Sequence, residues 1–177
     1  MNNMFKNLII TLISLLFLAN YSNAKMEKEE KNFLNTVFDN NVPKKKRVIL
    51  KGQAKQDIKR IMGDNYKKVI FSYWEKDDKT IWILNSIGKY KPITTGFIVS
   101  GCELDSAYVL VYREQHGYEI KYPSFLSQFP KKTLRTGNKL NEELDNISGA
   151  TLSVRSMDRM ARMALLLTNL TNENTCT

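Results

Sequence analysis

Histidine is almost missing from this chain, cysteine and proline are sparse, and these shortages exclude several chemistries. The 177 residues include one histidine, His116, with two cysteines and four prolines. A serine hydrolase needs a nucleophile, a base and an orienting acid. His116 is the sole imidazole on offer, and no Gly-x-Ser-x-Gly elbow occurs. Neither the glycine pattern of a P-loop nor that of a Rossmann dinucleotide site is present. No Cys-x-x-Cys pair or His/Cys cluster marks a metal centre, so none is expected. Cys102 and Cys176 are too few for a disulfide framework, and a single bridge between them would need an oxidising compartment. Internal repeats and low-complexity tracts are also lacking, which leaves one domain with room for a real core.

Long apolar runs are confined to the start. Lys6 supplies a positive head, residues 8–19 are apolar, and Ser22-Asn23-Ala24 forms a small-x-small cleavage site. Residues 1–24 are therefore predicted to be a signal peptide, and the protein is expected in the periplasm or at an extracytoplasmic membrane surface. The run is short for a membrane span, although retention as an anchor stays open, and no cysteine follows it to carry a lipid. Negative charge is in deficit, with 27 Lys and Arg against 18 Asp and Glu and a net charge of +9. In an exported chain that balance points to an acidic partner or an anionic membrane face rather than to nucleic acid. Pro43-Lys44-Lys45-Lys46-Arg47-Val48 has the form of a nuclear import signal, but the leader contradicts that use. Residues 25–46 read as a charged helix and a solvated linker. Asn146-Ile147-Ser148 and Asn169-Leu170-Thr171 fit the glycosylation pattern, which matters only in a eukaryotic secretory route.

Along the chain, Phe33, Leu34, Val37 and Phe38 have helical spacing. A second helix is predicted over Gln53–Met62, stopped by Gly63. Four strands follow, over 69–74, 80–87, 93–100 and 106–112, rich in β-branched and aromatic residues. Turns are expected at Lys76–Lys79 and Gly101–Asp105. Such close spacing predicts an α+β fold: an antiparallel sheet of about four strands with flanking helices. Tyr73, Trp74 and Trp82 are assigned to the core and sheet faces. Residues 125–129 read as a short helix, 130–137 as a basic loop, and 171–177 as a polar tail.

The segment Asp145-Asn146-Ile147-Ser148-Gly149-Ala150-Thr151-Leu152-Ser153 precedes a helical run that carries Met157, Met160, Ala161, Ala164, Leu165 and Leu167. Ser148 is a candidate N-cap, and Gly149 allows backbone amides close approach to a ligand. Unpaired amides and the positive end of the helix dipole suit an anion such as a phosphate. An ordinary capped helix is the competing reading. Arg155 lies one turn beyond Thr151, where a cation opposes the dipole unless an anion is near. Arg155, Arg159 and Arg162 otherwise read as a solvated stripe.

Asp-x-Ile-Ser-Gly-Ala-Thr-x-Ser closely resembles the flavinylation motif of the FMN-binding domain family. That family includes the C-type subunit of the sodium-pumping NADH:quinone reductase and the G-type subunit of the Rnf complex. The resemblance continues through Lys91-Pro92-Ile93-Thr94, Tyr112-Arg113-Glu114 and Phe125-Leu126-Ser127-Gln128-Phe129. It implies an FMN-binding domain over residues 47–170, with a flavin transferase joining the FMN phosphate to the Thr151 hydroxyl as a phosphoester. Ser148, Gly149 and Ala150 would shape the approach, and Asp145 matches the acidic opening position. Glu114, His116 and Gly117 fall where the family has a second flavin-contacting loop, although the proline and second glycine of that loop are missing here. The implied protein relays electrons between redox partners, acidic or membrane-bound, and uses no catalytic residue of its own. A secreted basic binding module of the same fold without flavin is the alternative.

Overall fold

The computed structural model describes residues 27–171; the predicted leader, the first residues of the charged segment and Cys176 lie outside that range. Helix α1 covers residues 27–37. It is followed by β1 (Lys46–Ile49), α2 (Gly52–Met62), β2 (Ile70–Lys76), β3 (Lys79–Ile87), β4 (Pro92–Ser100) and β5 (Glu103–Val111). A 3₁₀ turn (Tyr118–Lys121), α3 (Pro123–Leu126), the ribbon β6 (Leu134–Arg135) and β7 (Lys139–Leu140), and α4 (Thr151–Thr171) complete the chain. The five long strands pair antiparallel in sequence order, β1-β2-β3-β4-β5. The result is a single α+β domain.

One strand more is present than the sequence predicts. The basic run reads as linker because cations dominate it, yet Lys46–Ile49 pairs with β2 as an edge strand. An edge is where lysine and arginine are tolerated, because their heads stay in water and discourage pairing with another chain. The two tight turns match expectation. Lys76 pairs with Lys79 and Ser100 with Glu103, so Asp77-Asp78 and Gly101-Cys102 are two-residue connections. Cys102 is disulfide-bonded. The ribbon β6–β7 replaces part of the predicted basic loop, and α3 starts two residues early because Pro123 sits at its first turn, where its fixed φ and missing N–H cost nothing.

Alternation sorts the sheet into two buried faces. Phe71, Tyr73, Trp82, Leu84, Phe97 and Val99 face α4 and α2. Trp74, Ile81 and Ile98 face the opposite way and are covered by Phe33 and Leu34 of α1 and by Phe38 in the turn that follows it. Hence the charged N-terminal helix belongs to the fold. Helix α4 buries every periodic residue named from the sequence, with Met157, Met160, Ala161 and Ala164 at 0 % exposure. It is also pinned to the sheet by polar contacts: Trp82 Nε1–H donates to Thr168 Oγ1 at 2.8 Å, and Thr95 Oγ1 donates to Met157 Sδ at 3.3 Å. At about 1.5 Å per residue α4 crosses the whole sheet. Its first residue thereby arrives beside the far ends of β3, β4 and β5. Among the described residues, no helix is long and apolar enough to cross a membrane.

Candidate functional site

The start of α4 is built by a tight turn. Ala150 N–H donates to Ile147 carbonyl at 2.9 Å, and Gly149 takes φ 79°, a left-handed conformation that side chains disfavour. This turn delays the helix, and Thr151 is its first residue. Ser148 therefore does not cap it: it stands three positions before the helix, and Ala150, with no polar side chain, occupies the capping position. The first intrahelical bond is Val154 N–H to Ala150 carbonyl at 3.0 Å. The amides of Thr151, Leu152 and Ser153 precede it and have no acceptor four residues back.

A cavity of about 720 Å³ opens onto this turn. Ser148, Gly149, Ala150 and Thr151 form one wall, and Glu114, His116 and Gly117 another. The structure thus brings together seven of the nine residues singled out from the sequence, although the two groups are more than 30 positions apart in the chain. The volume lies within the range of about 300–1,000 Å³ usual for small-molecule sites.

Gly117 explains how the walls meet. It has φ 85°, and a Cβ there would fall 3.0 Å from both Ser153 Oγ and Tyr112 OH and 3.2 Å from Ala150 Cβ. Only glycine lets this loop lie on the helix start. Tyr112 locks the contact: its hydroxyl donates to the His116 carbonyl and meets Ser153 Oγ at 3.0 Å. Since that hydroxyl has one proton, already committed, Ser153 is the donor in the second bond. Burial raises the Tyr112 pKa, and the Ser153 bond opposes the shift.

Glu114, in the cavity lining, also holds a neighbouring loop. Its Oε1 accepts from the amides of Lys89, Tyr90 and Lys91 at 2.6, 2.6 and 2.8 Å, folding the β3–β4 loop into the cavity rim. Burial pulls the carboxyl pKa up, but the three amide bonds and the Lys91 charge outweigh it and leave the group below its ordinary value. The loop so held brings Lys89, Lys91 and the exposed ring of Tyr90 to the cavity, where Tyr118 is a second exposed ring. The sequence assigns no role to Lys89 or Tyr90, while Lys91 belongs to the resembling segment 91–94 and Tyr118 to the stretch that matches the family's second loop. The available signal was an acid in a loop beside a glycine-led turn, but its partner loop was not deducible without the sheet register.

Two predicted residues are not in the cavity lining. Asp145 is exposed, and its amide donates to Gln128 Oε1 at 2.6 Å, which ties the incoming segment to the turn after α3. Arg155 lines a second cleft on the other side of Thr151. Thr151 itself is half-buried and lines both, and its Oγ1 accepts from Asn146 Nδ2 at 3.1 Å. The sequence alone marks Asn146 as a glycosylation acceptor.

No protein-family model matches the chain, and no curated protein matches it significantly. What the fold and the site define is a class: an α+β domain with a ligand-sized cavity ending on a threonine at a helix start.

Proposed function

We propose that the chain is an exported flavoprotein that carries FMN as a phosphoester on Thr151 and relays electrons between partners. The reading is carried by one observation: the Ser148–Thr151 turn and the Glu114–Gly117 loop, the two segments that resemble the flavin-binding parts of the FMN-binding domain family, line one cavity. The residues suit the group. The free amides and positive end of α4 favour its phosphate. Thr151 is accessible enough to be modified, and the open space around Gly149, with no atom within 4 Å of where a Cβ would be, lets the backbone approach it. Tyr90 and Tyr118 offer exposed aromatic faces for a planar ring.

Bound there, FMN would supply one- or two-electron transfer, and the protein supplies position and charge. Lys89 and Lys91 hold positive charge at the rim, which favours electron-rich states of a bound ring. Thr151 provides the tether, so that the cofactor is not lost by dilution outside the cytoplasm. A flavin transferase must attach it. The donor and acceptor would be separate proteins, acidic or at the membrane face, steered by the net charge of +9, with association slowing as salt rises. Export and a periplasmic or membrane-surface location follow from the predicted leader.

Intact mass tests the proposal. The chain, co-produced with an active flavin transferase and exported, should gain one FMN less water and fluoresce in a denaturing gel, and Thr151→Ala should do neither. A bare polypeptide mass, with the same transferase modifying a known acceptor in parallel, would leave the binding module without flavin.

A further inference from the structure

Thr151 stands on a divide. The cleft opposite the tyrosine-rimmed cavity has a volume of about 470 Å³ and is lined by Arg135, Lys139, Arg155 and Arg162 against two carboxylates, Glu143 and Asp158. Asp158 pairs with Arg162 at 2.9 Å. Glu143 alone is then left to balance Arg135, Lys139 and Arg155.

This concentration of positive charge is unfavourable in the bare chain on three counts. Arg135 and Lys139 lie directly opposite each other in the β6–β7 ribbon, where like charges repel. Arg155 is one turn from the positive end of α4. Behind them, the Nε atoms of Arg159 and Arg162 are buried without a hydrogen-bond partner. Burial, followed by the charge of Arg162, also pushes the Arg159 pKa down, with Asp158 opposing and Arg155 adding to the shift. An anion in the cleft would relieve the repulsion among the exposed cations.

The threonine oxygen has a hydrogen-bond partner on this side. Its donor, Asn146, lines the second cleft and not the first. We propose that Arg135, Lys139 and Arg155 form an anion subsite that takes the phosphate charge borne on Thr151 Oγ1, while the tyrosine-rimmed cavity takes the ring. The identity of the anion rests on the flavin reading, but the subsite is a property of the unmodified chain. A phosphate joined to two carbons keeps two free oxygens and one charge, which a guanidinium matches bidentately.

The test uses the wild-type chain made without a transferase, titrated with inorganic phosphate at constant ionic strength and followed by NMR. Saturable shifts are expected in residues 135–139 and at the Arg155 guanidinium. The Lys139→Gln/Arg155→Gln double variant should weaken phosphate at least fivefold. Glu143→Gln should tighten it severalfold, a gain that damaged folding cannot mimic. Lys55→Gln/Lys67→Gln, which removes two exposed lysines elsewhere, controls for net charge and should change little. Shifts confined to residues 148–153, or equal effects of the double variant and of Lys55→Gln/Lys67→Gln, would overturn the subsite. Flavin attachment is read separately by mass. If FMN is attached, its ³¹P resonance should move in the double variant with the mass adduct intact, and an unmoved resonance would break the link between subsite and tether.

Discussion

Replacing Glu114 by alanine should release the β3–β4 loop from the cavity rim. One oxygen collects three amide hydrogens at 2.6–2.8 Å. A hydrogen bond to a charged group contributes about 1.5–3 kcal/mol net, but three donors share this acceptor and water reaches the carboxylate. The expected loss is therefore about 2–3 kcal/mol for Glu114→Ala rather than three times the single-bond figure. Glutamine keeps a carbonyl acceptor and loses only the charge, so Glu114→Gln should cost about 1 kcal/mol. At about 2–4 °C per kcal/mol for a chain of this length, the Tm should fall by roughly 4–12 °C and 2–4 °C respectively. The sharper assay is local. Amide exchange at residues 89–91 should accelerate tenfold for each ~1.4 kcal/mol of protection lost, with little change in α4. The pH dependence carries a sign. A carboxyl whose folded pKa lies below the unfolded value, ordinarily 4.5, stabilises fully above that value and loses the contribution as pH falls through the lower folded one. The difference between wild type and Glu114→Gln should hold from pH 7 to about pH 5 and shrink below. Unchanged exchange in Glu114→Ala, or a difference that widens on acidification, would refute the clamp.

Three other substitutions probe what holds the site in place. Gly117→Ala meets Ser153 and Tyr112 at 3.0 Å from a left-handed backbone and should cost about 1–3 kcal/mol in urea denaturation; a neutral result would mean that the loop does not rest on the helix start. Trp82→Phe removes the 2.8 Å bond to Thr168 and part of a fully buried ring, for an expected loss of about 2–3 kcal/mol; a loss below about 1 kcal/mol would show that α4 is not tied there. Gly96→Ala would set a Cβ 2.5 Å from the Phe33 ring, so limited proteolysis should cut residues 27–37 sooner while amide exchange at residues 89–91 stays as in wild type. Protection of α1 as in wild type would show that the helix is held without that contact.

The fold was largely legible because its signals are local. Two-residue turns with an aspartate or glycine at positive φ, strands of β-branched residues between them, and a helix with six buried periodic positions each stand out in a short window. The fifth strand escaped because edge position reverses the usual composition: Lys46 and Arg47 look like linker until β2 is placed beside them. The role of α1 escaped for a related reason. Its apolar stripe is visible, but the Gly96 gap that receives Phe33 is a property of the opposite sheet face.

The candidate site divides along the same line between local and distant information. The turn ending at Thr151 could be picked out because glycine, a small residue and hydroxyls are contiguous there. What each residue does could not, since the deciding partners come from elsewhere in the chain: Glu114 serves residues 89–91, Gly117 lies against Ser153, and Asn146 donates to Thr151 Oγ1. The Ser148 cap failed for a physical reason of the same kind. Gly149 bends the chain into a turn of its own, so the helix begins at Thr151 with no side-chain cap at Ala150. A cap of serine or aspartate at position 150 would have satisfied one of the first amides and competed with any anion. Alanine leaves them free, and its burial against Gly117 holds them at the cavity wall. The weak start of α4 and the repulsion among its neighbouring cations are thus two costs in the bare chain that a single phosphate on Thr151 would reduce together.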